Sequence, residues 1–561
     1  MARQPQNSRD ELVFLALGGL GEIGMNSYLY GIGPPQNRQW LMVDLGITFP
    51  GPHEPGVDVV LPDLRFIAAE KNALAGIVIT HAHEDHIGAM IELWPELEAP
   101  VYATPFTMGM LKAKLSAFGG RIRPKLNQVP IDGRFNVGPF DLELISMTHS
   151  IPETSAIAIR TNHGLVFHTS DWKIDPGPMT GSPIDGAKLQ SLGQEQVQTL
   201  VCDSTNVLRG GISPSETDVA DKLTEIIKKA PHRVAVTTFA SNVGRVLAVA
   251  NATRASGRHL VVAGRALHRV IEVAIDTGYL PPDFKYLGQE EFGYLDRDEI
   301  VVILTGSQGE PRAALSRAAD GDHPDINFSK GDLVIYSSRN IPGNEKSISR
   351  VQNALARLGC EILTDAEELV HVTGHPRQDE LRQMYSWLQP QALIPMHGEG
   401  RHLRAQAKLA AESGIKHVVV PEDGAIVRLA PGKPATIDEA PTGRRYRDGK
   451  LILPGDEGPV RERRRLSTAG IVIVSVALTR RGEVISDHLL TLDGVPTETK
   501  DAELMRDVVL DTIDGTIESI PPARRKNPEL VREALRRAVR ATFNEEWGKK
   551  PIVKVLLHVI E

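Results

Sequence analysis

The stretch Ile77-Val-Ile-Thr80-His81-Ala-His83-Glu-Asp85-His86 decides how this chain is read. Ile77, Val78, Ile79 and Thr80 are β-branched, the side-chain type that packs best on a pleated, buried strand. The strand then ends by delivering four potential metal ligands, His81, His83, Asp85 and His86, in six residues. Strand side chains alternate, so His81 and His83 can face one ion, and Asp85 and His86 fall beside a second. Imidazole suits zinc, and carboxylate tolerates zinc or manganese. Two ions about 3.5–4 Å apart can activate a water and stabilise the leaving oxygen of a phosphodiester. The plainer alternative is a surface-exposed histidine-rich turn. Three histidines and an aspartate at one strand end argue against it.

The rest of the chain is consistent with a large enzyme. At about 150 residues per domain, 561 residues make three or four domains. Hydrophobic residues are 41% and charged residues 24%, the balance of a soluble globular protein. Cys202 and Cys360 are the two cysteines, too few for a disulfide scaffold or a thiolate metal site. No apolar run approaches the ~18 residues of a membrane helix. The first apolar run, 12–17, follows Asp10 and Glu11 and is too short for a secretory signal. The expectation is a cytoplasmic protein with no membrane contact. The net charge of −8 argues against a wholly basic surface but leaves room for a local basic channel.

Residues 1–214 alternate short strand-like runs (12–17, 28–30, 40–43, 76–80 and 166–169) with turns, and helices are expected over 87–97 and 107–118. From about residue 215 the pattern becomes regular β/α alternation, which implies a parallel sheet flanked by helices over 215–365. Short strands return over 366–443. The stretch 444–465 is rich in arginine with little periodicity, and it reads as a linker or extended crossing segment. It lines an RNA path or acts as a solvated tether, and the tether is favoured. Residues 466–561 form a last compact unit. Its helix starts at Asn527-Pro528 and carries an apolar face of Val531, Leu535, Ala538, Val539 and Phe543.

One motif misleads. Gly19-Leu-Gly21-Glu-Ile-Gly24 matches the dinucleotide fingerprint, with Asp44 placed 20 residues beyond Gly24. A helix should open at the third glycine, because the pyrophosphate sits on its N-terminus. Met25 to Tyr30 reads instead as a second strand, so nucleotide binding is not expected there.

The HxHxDH pattern of His81, His83, Asp85 and His86 resembles the metallo-β-lactamase superfamily. The resemblance extends downstream to His149 in Met147-Thr-His-Ser150, to Asp171 in Phe167-His-Thr-Ser-Asp171, and to Asp44 as a site-orienting acid. The inserted α/β segment resembles the β-CASP domain of nucleic-acid-processing members. That branch's motifs are matched in order by Asp203, by His371-Val372-Thr373-Gly374-His375, and by His397 in Pro395-Met-His-Gly-Glu399. With Gly18–Gly24, Thr305-Gly-Ser-Gln-Gly-Glu-Pro311 and 338–345, the set is similar to the ribonuclease J family over nearly the whole chain.

The resemblance implies a metallo-β-lactamase αββα sandwich with an inserted β-CASP α/β domain and a small α+β C-terminal domain. It implies two divalent metal ions per subunit, zinc with manganese as the alternative. His81, His83 and His149 would hold one and Asp85, His86 and His397 the other, with Asp171 bridging. Asp85 would also hydrogen-bond the attacking water, and His375 would be the general acid or stabilise the leaving oxygen. Asp203 would orient metal ligands or His375. Phe239, Ala240, Ser241, His371, Val372, Thr373, Gly374 and His375 would form the RNA and 5′-phosphate pocket, with Phe239 either stacking on a base or filling core. His168 is read as structural and His163 as solvent-exposed. The activity implied is a 5′→3′ exoribonuclease preferring 5′-monophosphate ends, with endonuclease activity, on single-stranded RNA in rRNA and mRNA maturation. Implied partners are a second copy, as homodimer or homotetramer, and RNA-degradation machinery. The alternatives are a DNA nuclease or other hydrolase on the same scaffold, and a non-catalytic RNA-binding platform.

Overall fold

The computed structural model describes residues 10–341, 343–455 and 458–560. Pro342, Asp456, Glu457 and the N-terminal Arg3 and Arg9 lie outside them. The chain divides into two units, 1–48 with 60–444, and 49–59 with 445–561.

The first unit contains two facing sheets. One has eight strands, ordered Ala435–Glu439, Ala425–Ala430, Glu11–Gly18, Ser27–Gly33, Gln39–Val43, Leu74–Val78, Val101–Ala103 and Leu126–Gln128. The other has seven, ordered His417–Val418, Ala392–Met396, Val197–Asp203, Gly164–His168, Ser155–Thr161, Phe140–Ser146 and Arg134–Val137. Phe14, Tyr28, Leu41 and Val78 of the first sheet share one core with Leu142, Ile157, Val166, Val201 and Ile394 of the second. Helices cover the outer faces. Among them Gln378–Leu388 and Gly400–Glu412 pack with Leu200, Cys202 and Leu393. This is the expected αββα sandwich.

Between Asp203 and Ala392 the chain builds a five-stranded sheet, ordered His259–Ala263, Ile300–Leu304, Val234–Thr237, Leu333–Tyr336 and Glu361–Leu363. Every pairing in it is parallel. A parallel sheet is buried on both faces, which is why its strands read as unbroken Val/Ile/Leu runs. In the second unit, Ile471–Thr479 lies between Leu489–Asp493 and Ile552–Ile560. Alternate residues Val472, Val474, Val476 and Leu478 are buried against Val509, Ile513 and Ile517 of one helix and Val531, Leu535, Val539 and Phe543 of another. Ala538 is half-buried at the margin of that face.

Local expectations differ from the structure in three places. The helix expected over 87–97 is two pieces, Glu84–Ile87 and Met90–Leu97. A Cβ at Gly88 would meet Glu84 O at 2.3 Å, so the chain turns there in close contact with itself. The 444–465 stretch is not an irregular linker. It folds as a hairpin, Arg444–Asp448 with Leu451–Pro454, and the helix Pro459–Ala469. Val460 is that helix's buried residue. Arg463 pairs with Asp448, and Arg464 Nε donates to His53 O at 2.8 Å. Polar anchoring replaces an apolar stripe, so no hydrophobic period marks the helix. His163 is not a free surface side chain either. It is 14% exposed, with Nε2 3.2 Å from Asp10 Oδ2.

Candidate metal centre

Strand Leu74–Val78 carries the motif to the sheet edge, where a loop and the short helix Glu84–Ile87 present it. The loop is held by Asp44, which follows strand Gln39–Val43 with φ +63°. Thr80 N and Oγ1 donate to the Asp44 carboxylate at 2.8 and 2.9 Å, and His86 Nδ1 donates to it at 2.7 Å. Asp44 is fully buried, its carboxylate is taken up by Thr80 and His86, and it belongs to no candidate donor set among the described residues.

Two donor sets converge. His81, His83, His149 and Asp171 offer atoms within 4.8 Å of one another, and so do Asp85, His86, Asp171 and His397. In the first set, His83 Nδ1 lies 3.1 Å from both His81 Nε2 and His149 Nε2. Asp171 Oδ2 lies 3.8 and 3.7 Å from those two Nε2 atoms. In the second, His86 Nε2 is 3.5 Å from Asp85 Oδ2 and 3.3 Å from Asp171 Oδ2, and His397 Nε2 is 3.1 Å from Asp85 Oδ2. Ligands about 2.0–2.1 Å from a tetrahedral ion stand about 3.3 Å apart, so the spacing suits such an ion. Asp171 Oδ2 belongs to both sets, and Oδ1 is buried with no hydrogen bond among the described residues.

The other ring nitrogens of His81, His149 and His397, like that of His86, are occupied. His81 Nδ1 contacts Thr80 Oγ1 at 3.0 Å and Ser170 Oγ at 3.3 Å. His149 Nδ1 donates to Gly374 O at 2.7 Å, and His397 Nδ1 contacts Thr205 Oγ1 at 2.8 Å. Such outer partners set the tautomer and leave the opposite nitrogen free for a cation. Burial holds His81, His83 and His149 below the usual histidine range, His83 at about 4. Burial would do the same to His397, but Asp171, Asp203 and Asp85 outweigh it and push that ring up to about 10. The first trio is therefore neutral, the form that binds metal.

The glycine motif has a structural use. Gly19 (φ +96°) offers its carbonyl to His397 N at 2.8 Å, and Leu20–Gly21 pairs with Gly398–Glu399. A Cβ at Gly19 would stand 2.4 Å from Tyr28 Oη. His397 itself has φ +51°, and this buttress holds it there. The loop then delivers Asn26, whose Nδ2 donates to Asp85 O at 3.1 Å and whose Oδ1 accepts from Tyr28 Oη at 2.7 Å. Asn26, Thr80, Ser170 and Thr205 were not singled out from sequence. Thr80 and Ser170 directly precede a candidate ligand, Asn26 follows a glycine turn and Thr205 comes two residues after Asp203, but short polar residues at such places carry no spacing signature.

His375 sits beside the cluster, its ring centroid 5.2 Å from His149 and 5.4 Å from His397. Its Nδ1 is 2.7 Å from Asp203 Oδ2. Burial would lower its pKa, but Asp203 and Asp171 reverse that and raise it. Burial and then the pull of His375 act oppositely on Asp203, and it ends low, at about 2. A Cβ at Gly374 would lie 2.5 Å from His149 Cε1, so the chain passes directly against a ligand ring. Thr373 Oγ1 accepts His375 N at 3.2 Å. His371 Nδ1 is buried without a partner among the described residues, and burial with Arg245, Lys173 and Arg339 keeps that ring's pKa well down. Phe239, Ala240 and Ser241 follow strand Val234–Thr237 and are half-buried. Val372 belongs to the core of the inserted domain, and Ala240 packs against that core. His168 is fully buried, with Nδ1 2.9 Å from Tyr30 Oη.

The chain matches four family descriptions in succession. These are a beta-lactamase superfamily domain over 53–197, a ribonuclease J beta-CASP domain over 231–355, a Zn-dependent metallo-hydrolase RNA specificity domain over 360–421, and a ribonuclease J C-terminal domain over 458–560. It is 51% identical to a ribonuclease J of Sinorhizobium meliloti over 98% of this chain and 97% of that one. It is 33% identical to a ribonuclease J of Thermus thermophilus, with 97% and 95% covered. A crystal structure of a protein of unknown function from Enterococcus faecalis matches with a TM-score of 0.51 at 14% identity, covering 74% of this chain and 100% of that one, a likeness of fold alone.

Proposed function

The chain belongs to the ribonuclease J family, a metal-dependent ribonuclease acting on RNA, and from that premise we propose a 5′→3′ exonuclease. On this reading it acts on single-stranded RNA, prefers 5′-monophosphate ends, and also cuts internally in rRNA and mRNA maturation. The observation that carries the reading is Asp171 Oδ2, shared by two complete donor sets, with the His375–Asp203 pair alongside.

His81, His83 and His149 would hold one ion and Asp85, His86 and His397 the other, with Asp171 between them; zinc suits the imidazole majority, and manganese is the alternative. Bound there, two divalent ions supply an acidified water and neutralise charge on the scissile phosphate. The chain's own groups do the rest. Asp85 orients the attacking water. Asp203 accepts a hydrogen bond from His375 Nδ1–H and stabilises the protonated ring, whose Nε2–H would protonate the departing oxygen. Thr373 Oγ1 spends its acceptor side on His375 N, so its O–H remains to donate to a terminal phosphate. Gly374, Ser241 and His371 complete that cradle, Ala240 and Val372 contribute through the backbone, and Phe239 stacks on a base.

The working form on this reading is a cytoplasmic homodimer or homotetramer allied with RNA-degradation machinery. Among the described residues, no helix is long and apolar enough to cross a membrane. The test is a time course on 5′-labelled RNA carrying mono- or triphosphate ends, with zinc or manganese. Labelled mononucleotide released from the monophosphate substrate is the expected result. Intact monophosphorylated RNA under every condition would refute the proposal. Equal cleavage of matched DNA would favour the broader nuclease reading, because only RNA offers the 2′-hydroxyl.

A further inference from the structure

A second polar cavity, of about 290 Å³, lies in the inserted α/β domain and shares no residue with the metal centre. Strands His259–Ala263 and Ile300–Leu304 are parallel neighbours in the register Ala263 to Leu304, so their carboxyl ends open at one edge. Ligands of open parallel sheets bind at such edges. Gly264 and Thr305 follow the two strands and both line the cavity. Gly264 has φ +117°, and a Cβ there would lie 2.6 Å from Thr305 Oγ1. Glycine therefore lets the chain enter helix Arg265–Asp276 in contact with Thr305. No side chain caps that helix; Leu267 N and His268 N donate to Gly264 O, which leaves the Arg265 and Ala266 N–H groups for an anion.

The side chains around this helix end are mostly donors; the exception is Gln289, which also lines the cavity and gives its Nε2 to Asp325 Oδ2 at 2.7 Å. Arg265, Arg312 and Arg317 line the cavity, and no carboxylate does. Arg317 reaches Asp322 O at 3.0 Å, and Arg265 and Arg312 make no ion pair among the described residues. The decisive group is His323, 6% exposed and also lining the cavity. Its Nδ1 accepts the backbone N–H groups of Asp325 and Ile326 at 3.2 and 3.1 Å. The ring proton is therefore on Nε2, and that atom has no partner among the described residues. An oxyanion in the cavity would give that N–H a charge-assisted acceptor. Three guanidinium forks, an imidazole N–H, a hydroxyl and a helix N-terminus suit the several oxygens of a phosphate. Against these donors the lining sets the Gln289 amide oxygen and no carboxylate.

We propose that this cavity is a second anion site that binds the phosphate group of a nucleotide. The choice of a nucleotide phosphate rests on the ribonuclease reading above. The chemistry is shared by a free nucleoside monophosphate and by a phosphodiester of RNA, and the experiment separates them.

The full chain is labelled at histidine with an NMR isotope, and the His323 resonance is identified by its loss in His323→Gln. Inorganic phosphate, a nucleoside monophosphate and a short phosphorothioate-blocked RNA with a 5′-hydroxyl are titrated separately. A saturable shift of the His323 signal is expected. Its apparent affinity should fall roughly tenfold or more in the Arg265→Gln/Arg312→Gln double variant. Both arginines are exposed, so that variant keeps the core intact. A response to the monophosphate but not the RNA assigns the site to free nucleotide, and a response to the RNA assigns it to the polymer backbone. No saturable shift with any probe, or an unchanged affinity in the double variant, overturns the site. The readout needs no cleavage. A failure of the exonuclease proposal would therefore leave it untouched, and a silent His323 in an active ribonuclease would overturn this inference alone.

Discussion

Replacing Gly374 with alanine tests the metal centre at its tightest point. The new Cβ would stand 2.5 Å from His149 Cε1 and 2.6 Å from Nδ1, where ordinary contact begins at 3.4 Å. Ring or loop must give by the difference, about 0.9 Å. The ring cannot move alone. Its Nδ1 donates to the carbonyl of the same residue at 2.7 Å, and its Nε2 sits 3.1 Å from His83 Nδ1. If the loop moves instead, His375 moves with it. A shift of about 1 Å near the reacting atoms costs on the order of 100-fold in rate, and a lost outer partner costs a ligand roughly 10–100-fold in metal affinity. Overpacking costs about 1–3 kcal/mol, so the fold should persist. The assay is cleavage of 5′-labelled RNA across a metal titration, with the metal content of the purified protein measured alongside. We expect kcat to fall about 100-fold and the metal required for half-maximal rate to rise. Gly400→Ala is the control, since a Cβ there meets nothing within 4 Å at the start of helix Gly400–Glu412. Wild-type rate and wild-type metal demand in Gly374→Ala would refute the packing argument.

Three further outcomes are expected. Arg245→Met strands Glu216, which now sits 2.6 Å from the buried guanidinium, so unfolding in urea should come about 3–5 kcal/mol sooner, with Lys173 at 3.7 Å offsetting part of that; an unchanged midpoint would contradict the burial of that pair. Burial and then Glu22 push the Asp423 carboxyl up to about 8 from its ordinary 3.8, so the folded state binds the extra proton in that window and stability falls as pH rises through it. Asp423→Asn keeps an acceptor for Leu20 N and should gain on the wild type in melts at pH 8 relative to pH 5; a gap that does not vary with pH would count against the shift. Chelation should abolish RNA cleavage and lower the melting temperature, since a ligand at a thousandfold excess over its Kd adds about 4 kcal/mol to the folded state, and zinc or manganese should restore both.

How much of this was legible depended on distance along the chain. His81, His83, Asp85 and His86 lie within one turn after one strand, so alternation alone suggested their convergence. His149, Asp171 and His397 came through family resemblance, because no local rule joins residues on separate strands. The same limit hid Thr205, which meets His397 across 192 residues. The glycine motif is followed by strand Ser27–Gly33, as its sequence suggests, and not by the helix a dinucleotide fingerprint opens. Its use as a buttress for His397 appeared only when Leu20–Gly21 was seen to pair with Gly398–Glu399. The arginine-rich stretch was misread because helix Pro459–Ala469 is held by side-chain bonds to Asp448 and His53 rather than by an apolar period. The placement of 49–59 with the C-terminal unit left no mark in composition at all.

Periodicities, which report burial one residue at a time, therefore determined the strand-rich first part and the parallel α/β insertion, and the sandwich itself came through family resemblance. The sequence alone also determined the ligand types, because imidazole and carboxylate chemistry resides in the residue itself. Only the tertiary structure decided that Asp171 Oδ2 lies against both donor sets, that a Cβ at Gly374 would meet His149, and that His323 lines a cavity with three arginines. Those are facts of distance and direction between segments far apart in the chain, and a sequence pattern records spacing along the backbone but not the angles at which folded segments meet.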